Sequence, residues 1–238
     1  MKLEQLILAG AENLGLDLSE HQLAQFRLYY EFLSEWNKKI NLTALVGEEE
    51  VAEKHFLDSL TCALVKNFNS SGDLVDIGTG AGFPGLPLKI AYPQLNLVLV
   101  DSLQKRTVFL KEIVEKLGLE NVKIYWKRAE EFGKEKKHRE SYEQCTVRAV
   151  AQLPVLLEYC LPILKVGGIL IAQKGNECSE EIFKSEKALT LLGGEIVDVQ
   201  EVKLPRSGLL RKLIVVKKIH PSPEDYPRRP GIPNKRPL

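Results

Sequence analysis

The chain has 238 residues, 44% of them hydrophobic and 27% charged, with a formal net charge of +1. This composition excludes a disordered, collagen-like or disulfide-stapled chain, and the length suits one α/β domain with an accessory element rather than two full domains. No apolar run approaches the ~18 residues of a membrane span, and the opening MKLEQLILAG lacks the layout of a signal peptide.

Residues 1–69 are expected to form a helical cap. Ser19-x-x-Gln22 is a capping box, and Leu23, Phe26, Tyr30 and Leu33 follow at helical spacing. WNKKINLTA, from Trp36 to Ala44, breaks that periodicity and reads as a loop. A third helix, from about Glu48 to Val65, carries Leu57, Leu60 and Leu64 on one stripe and Val51, His55, Asp58 and Cys62 on another.

Residues 70–219 alternate strands with helices. LVDI, LNLVLVD, VKIYW, the region CTVRAV and GILIAQ read as strands. Helices are expected between them, including one over 153–164 and one over 180–192. Such alternation means a parallel sheet covered on both faces. EIVDVQEVKL and RKLIVVKK are joined by too few residues for a helical crossover, so they pair antiparallel and close a seven-stranded, mostly parallel sheet.

The tail, 220–238, differs in composition. Its last eighteen residues hold six prolines and are expected to be irregular. From Lys203 onward, ten Lys/Arg face only Glu224 and Asp225, a local charge of +8 that leaves −7 on the preceding residues. A basic end on an acidic body points to a polyanionic partner, against the alternative of a solvated appendage. Arg228, Arg229, Lys235 and Arg236 alternate with prolines, as suits a stiff strap for phosphates. Its removal is then expected to leave the cofactor pocket untouched.

The segment VDIGTGAGFPGLPLKI carries the chemistry. Gly80-x-Gly82-x-x-Gly85 fits the dinucleotide fingerprint, whereas Asp76-x-Gly78-x-Gly80-x-Gly82 resembles the first motif of S-adenosylmethionine (SAM) methyltransferases. Asp101, nineteen residues after Gly82, suits a ribose under either reading. Three features favour SAM over NAD. Asp76 would repel a pyrophosphate but attract a cationic amino-acid end. The sheet ends in a hairpin, and no chain remains for a dehydrogenase's substrate domain.

The blocks WNKKINLTA, HFLDSL, DIGTGAGFPGLPLKI, VDSLQKRTVFL, RAEEFG, VRAVAQL and YPRRPGIPNKRPL occur in an order that resembles the bacterial ribosomal RNA small subunit methyltransferase G family over nearly the whole chain. The resemblance implies a Rossmann-like class I methyltransferase fold. It also implies SAM-dependent transfer to N7 of a guanine, usually numbered 527, in the 530 loop of 16S rRNA. Position by position, it implies cofactor contacts from Gly78, Phe83, Asp101, Ser102, Ala129, Glu130 and Arg148, beside Asp76 and Gly80 of the motif. Val147 departs from the Ser or Ala that family members often have.

Other residues carry weaker readings. Lys105 and Arg106 stand in the first turn of a helix, where the macrodipole favours acids, so a phosphate contact competes with plain solvation. His55 and Asp58, at i and i+3, read as a surface pair or as pocket neighbours. Lys174 is a candidate to face substrate. No His or Cys spacing suits a metal, and the four scattered cysteines suit reduced thiols in the cytoplasm. A monomer is expected, with the small ribosomal subunit as partner. No general base is expected, Arg148 serving to position. The competing readings are a non-catalytic rRNA-binding or assembly factor that retains the fold, and a SAM methyltransferase for another base or a small molecule.

Overall fold

The computed structural model describes residues 2–238. Helix α1 (Leu3–Asn13) leads to α2 (Glu20–Ile40), whose start is closed by the reciprocal Ser19–Gln22 capping box. The Gln22 amide also donates to the carbonyls of Ile90 and Ala91 at 2.8 and 2.9 Å, so one cap starts the helix and moors it to the body. The helix runs past Trp36, where a loop was expected. Phe32, Trp36 and Ile40 continue the apolar stripe at i, i+4, and Asn41 stops it at φ 49°. Asn37 then pins the following loop by exchanging two 2.8 Å hydrogen bonds with the Thr43 backbone.

The third helical stretch is not one α-helix. It passes from α3 (Glu48–Val51) through a π-helical turn, Ala52–Leu57, into α4 (Asp58–Leu60) and a 3-10 turn, Thr61–Leu64. π turns of this kind re-aim side chains near functional sites.

Seven strands follow in the sheet order β3-β2-β1-β4-β5-β7-β6. They are β1 (Asp73–Ile77), β2 (Asn96–Asp101), β3 (Val122–Trp126), β4 (Tyr142–Arg148), β5 (Leu164–Gly175), β6 (Gly194–Lys203) and β7 (Leu210–Lys218). The first five are parallel, and β7 runs antiparallel to both β5 and β6, as the short connection requires. Alternate residues split between two cores. Leu74, Leu97, Leu99, Ile171 and Leu213 face the N-terminal helices, α5 (Gly85–Ala91) and α6 (Gln104–Lys116). Val75, Val98, Val100, Cys145 and Leu170 face α7 (Ala129–Lys134), α8 (Leu153–Cys160) and α10 (Glu186–Leu192). Burial on both faces gives these strands their near-continuous apolar sequence, each buried side chain contributing about 1.5–3 kcal/mol.

Two other expectations are corrected. The helix expected over 180–192 splits into α9 (Ser179–Phe183) and α10, the buried Ser185 hydroxyl donating back to the Glu181 carbonyl at the break. The tail, expected to be irregular, has regular structure. It carries a one-turn helix, α11 (Ile232–Lys235), and lies against α7 and α8. The Arg139 guanidinium donates to the carbonyls of Ser222, Pro223 and Tyr226, which anchors the tail's first turn.

Candidate active site

Strand order reverses between β1 and β4, and at such a switch point the carboxyl ends of parallel strands open a crevice. The glycine loop leaves β1 there. Gly78, Gly80 and Gly82 have φ of 67°, 62° and 98°, a left-handed run that side chains resist. The Gly78 and Thr79 amides donate to the Val100 carbonyl at 2.8 and 3.1 Å, and the Gly80 amide donates to Asp101 Oδ2 at 2.9 Å. Asp101, 3% exposed, also accepts from the Leu103 amide and stands 3.4 Å from Arg106. One carboxylate thus ties the end of β2 to the loop after β1. Oδ2 accepts from both Gly80 and Arg106, and Oδ1, which accepts only from Leu103, retains lone-pair capacity for a ligand.

A cavity of about 270 Å³ opens at this point. Gly78, Asp101, Ser102, Ala129 and Glu130, all singled out from the sequence, line it. Lys127, Arg128, Val150, Tyr159 and Asn234 line it too, and sequence reasoning missed them. Glu130 is buried and accepts from the Gly231 amide at 2.8 Å and from the Tyr159 hydroxyl at 3.4 Å. Burial and Glu130 together raise the Tyr159 phenol, which stays neutral.

Asp76, Phe83 and Arg148, expected to contact the cofactor directly, do not line the cavity. Asp76 is wholly buried beneath the loop, where Oδ2 accepts from Thr79 Oγ1 at 2.6 Å and from the Gly85 amide at 2.9 Å. The Phe83 ring lies stacked between Tyr29 and His55, with centroids 5.5 and 4.4 Å away. The Arg148 guanidinium stands 5.1 Å over that ring and donates to Asp58 Oδ2 at 2.9 Å and the Lys54 carbonyl at 3.2 Å. Asp58 Oδ1 accepts from Arg211 Nε at 3.0 Å. Asp58 and His55 therefore converge on Arg148 from the helical cap, instead of bonding each other on a surface. The shared carboxylate joins the cap, β4 and β7. Gly80 supports the cavity through Asp101 without lining it.

His55 has both ring nitrogens engaged. Nε2 lies 2.7 Å from Thr43 Oγ1 and Nδ1 lies 3.2 Å from Arg148 Nη2. Arg148 can only donate, which assigns the proton to Nε2. Burial, reinforced by the Arg148 charge, holds the ring down at about 3, so it is neutral.

Burial pushes the Asp76 carboxyl from its ordinary 3.8 up to about 6, against the pull of its Thr79 and Gly85 hydrogen bonds. The folded value lies above the unfolded one. The group's contribution to stability is therefore fully present below about pH 4 and is lost as pH rises through about 6, roughly 3 kcal/mol in all. Asp76→Asn removes this titration. The stability of the variant relative to wild type is expected to climb between about pH 4 and 6 and then level off, as read by denaturant melts across pH. A constant difference from pH 4 to 8 would refute it.

The other cations divide. Lys105 is exposed at the start of α6, and Arg106 leans on Asp101. Arg229, Lys235 and Arg236 are exposed and make no ion pair among the described residues. Arg228, expected at phosphate, serves as a latch: its guanidinium grips the fully buried Glu158 through three bonds, at 2.9, 3.1 and 2.6 Å. Lys174 is likewise occupied, at 2.6 Å from Glu181 and 2.7 Å from the Ala151 carbonyl. The expectation of an independent tail also falls, because Asn234 is part of the cavity wall. Among the described residues no cluster of His, Cys, Asp or Glu suits a metal, and no helix is long and apolar enough to cross a membrane.

The family model for rRNA small subunit methyltransferase G matches residues 22–210. The chain belongs to this family. The ribosomal RNA small subunit methyltransferase G of Alkaliphilus metalliredigens is 49% identical over 238 residues, with both chains fully covered. That of Bacillus subtilis is 47% identical over 238 residues, covering 100% of this chain and 99% of its own. Two solved structures of low identity share the fold. A SAM-dependent methyltransferase from Aquifex aeolicus superposes with a TM-score of 0.53 at 18% identity, over 71% of this chain and 93% of that one. M. jannaschii TYW2 in complex with AdoMet gives 0.54 at 14% identity, over 68% and 75%.

Proposed function

We propose that the chain transfers a methyl group from SAM to N7 of a guanine in the 530 loop of 16S rRNA, the position usually numbered 527. One observation carries this reading: the cavity at the switch point combines open backbone at Gly78, the Asp101 carboxylate beyond β2 and the Glu130 carboxylate beyond β3. This set fits SAM. Gly78 leaves room for the ligand, Asp101 has acceptor capacity for ribose hydroxyls, and buried Glu130 is an acceptor for an adenine amino group. SAM supplies an electrophilic methyl group on a cationic sulfur.

The target atom is supported by what the chain does after β4. Ala149-Val150-Ala151-Gln152 follows Arg148, where amino-directed enzymes carry an Asn/Asp-Pro-Pro-aromatic motif. Ring N7 has no proton to lose, so the cavity needs no base. RNA as substrate is supported by the free cations Lys105, Arg229, Lys235 and Arg236, and family membership makes the small ribosomal subunit the partner. The protein then works as a monomer in the cytoplasm.

Incubation with tritiated SAM and unmethylated small subunits, followed by mapping of the labelled base, tests the reading. Label is expected at N7 of one guanine in the 530 loop. Label on another base, or none from folded protein that binds SAM, would overturn it.

A further inference from the structure

The tail does two things at one place. Up to Arg228 it is clamped to the body. The Arg228–Glu158 pair is joined there by the Arg228 amide, which donates to the same carboxylate at 2.8 Å, and by Lys134, which donates to the carbonyls of Glu224 and Asp225. Beyond the clamp, the chain crosses the cavity mouth. The Gly231 amide donates to Glu130 inside the cavity, Asn234 Nδ2 donates to the Tyr159 hydroxyl at 3.1 Å, and Asn234 itself faces the space. The three free cations sit within this crossing, Arg229 just after the clamp and Lys235 and Arg236 just after Asn234. Among the described residues no acid pairs with them, although acids are as frequent in the chain as bases. The crossing is further held where the Arg236 carbonyl accepts from Arg228 Nη2 at 2.8 Å and where Pro233 is buried, while Arg229, Pro230, Ile232 and residues 234–237 are exposed.

We propose that residues 229–236 form a shared wall, with the cofactor on its inner side and RNA backbone phosphates on Arg229, Lys235 and Arg236 outside, so that the two ligands bind cooperatively. The inference rests on SAM occupying this cavity. Fully ordering a segment this exposed costs conformational entropy. A ligand on one side meets that cost, and the ligand on the other side then binds a segment already in place. The coupling must be reciprocal. Phosphate is the ligand the outer side fits, because the cations are unpaired among the described residues, exposed, and fall within eight residues of a proline-rich turn.

S-adenosylhomocysteine, which lacks the transferable methyl group, is the probe, measured by equilibrium dialysis with and without saturating unmethylated small subunits. Its affinity is expected to rise at least about fivefold with subunits, the lower end of usual coupling. The affinity for subunits, measured by sedimentation, should rise by the same factor when the probe is saturating. Amide exchange at 229–236 should slow with either ligand alone. In a variant combining Arg229→Gln, Lys235→Gln and Arg236→Gln, subunits at saturating concentration should no longer change the probe's affinity.

Equal probe affinity with and without subunits would sink the shared wall while leaving the methyltransferase reading intact. Full coupling in the triple variant would sink it as well. Folded wild type that binds no probe under either condition would remove the cofactor reading itself, and the shared wall with it.

Discussion

Gly78→Val is expected to abolish cofactor binding, a loss of more than about 100-fold, while the protein still folds. A Cβ at Gly78 would stand 2.5 Å from Val150 Cγ2, at the point where the loop after β4 overhangs the cavity. Val150 is 38% exposed on that loop, so it can yield outward. The cavity wall that the two residues form together cannot keep its shape. The φ of 67° adds a left-handed penalty of about 1–2 kcal/mol, which a domain of this size survives. Two neighbouring glycines are expected to behave differently. A Cβ at Gly82 would meet Leu86 and the Tyr29 hydroxyl at 2.5 and 2.6 Å, and one at Gly85 would meet Leu99 at 2.7 Å, all inside the core. Valine at either position should damage folding itself. Calorimetric titration with SAM, paired with thermal melts, separates the two outcomes. A Gly78→Val protein that binds SAM as wild type does would move the cofactor out of this cavity.

The features legible in the sequence are those that short-range physics dictates. The Ser19–Gln22 box, the alternation of apolar strands with striped helices, and the three-glycine turn all depend on residues within a few positions of each other. The closing hairpin was legible for a related reason, because a short connection leaves only one pairing direction. Contacts across the topology were not legible. Asp58 meets Arg148 and Arg211 from 90 and 153 residues away, and no spacing rule links the three. Arg228 looked like its basic neighbours because composition cannot distinguish a latch from a phosphate ligand. A signal did exist in its partner. Glu158 is the lone charge in the apolar helix LPVLLEYC, and a carboxylate placed so deep demands a cation. Asn234 left no such trace, since a small polar residue among prolines suits either solvent or a cavity wall.

The pH dependence of the chemical step separates positioning from base catalysis. Guanine N7 carries a lone pair and no proton, so the chain has no proton to abstract, in contrast to an exocyclic amine. The one imidazole near the end of β4 is unsuited to the task in any case. His55 donates from Nε2 to Thr43, turns Nδ1 toward Arg148 and is held neutral, down at about 3. At saturating RNA and SAM, the single-turnover rate is therefore expected to stay flat from about pH 7 to 9. Any drift below about pH 7 is assigned to Asp76, whose carboxyl is pushed up to about 6 under the glycine loop.

Arg148→Ala should slow the step by about 100-fold, the scale on which small misplacements act. It removes the cation that braces Phe83 beneath the loop and links Asp58 to β4. The shape of the pH profile should not change. Asp58 keeps Arg211 at 3.0 Å, so the variant should fold, with a loss of at least about 1.5–3 kcal/mol for the charged Asp58 bond, to which the lost Lys54 and His55 bonds add. His55→Gln should change the rate far less. A wild-type rate that climbs tenfold per pH unit, with the slope abolished by His55→Gln, would establish a general base and end the positioning account.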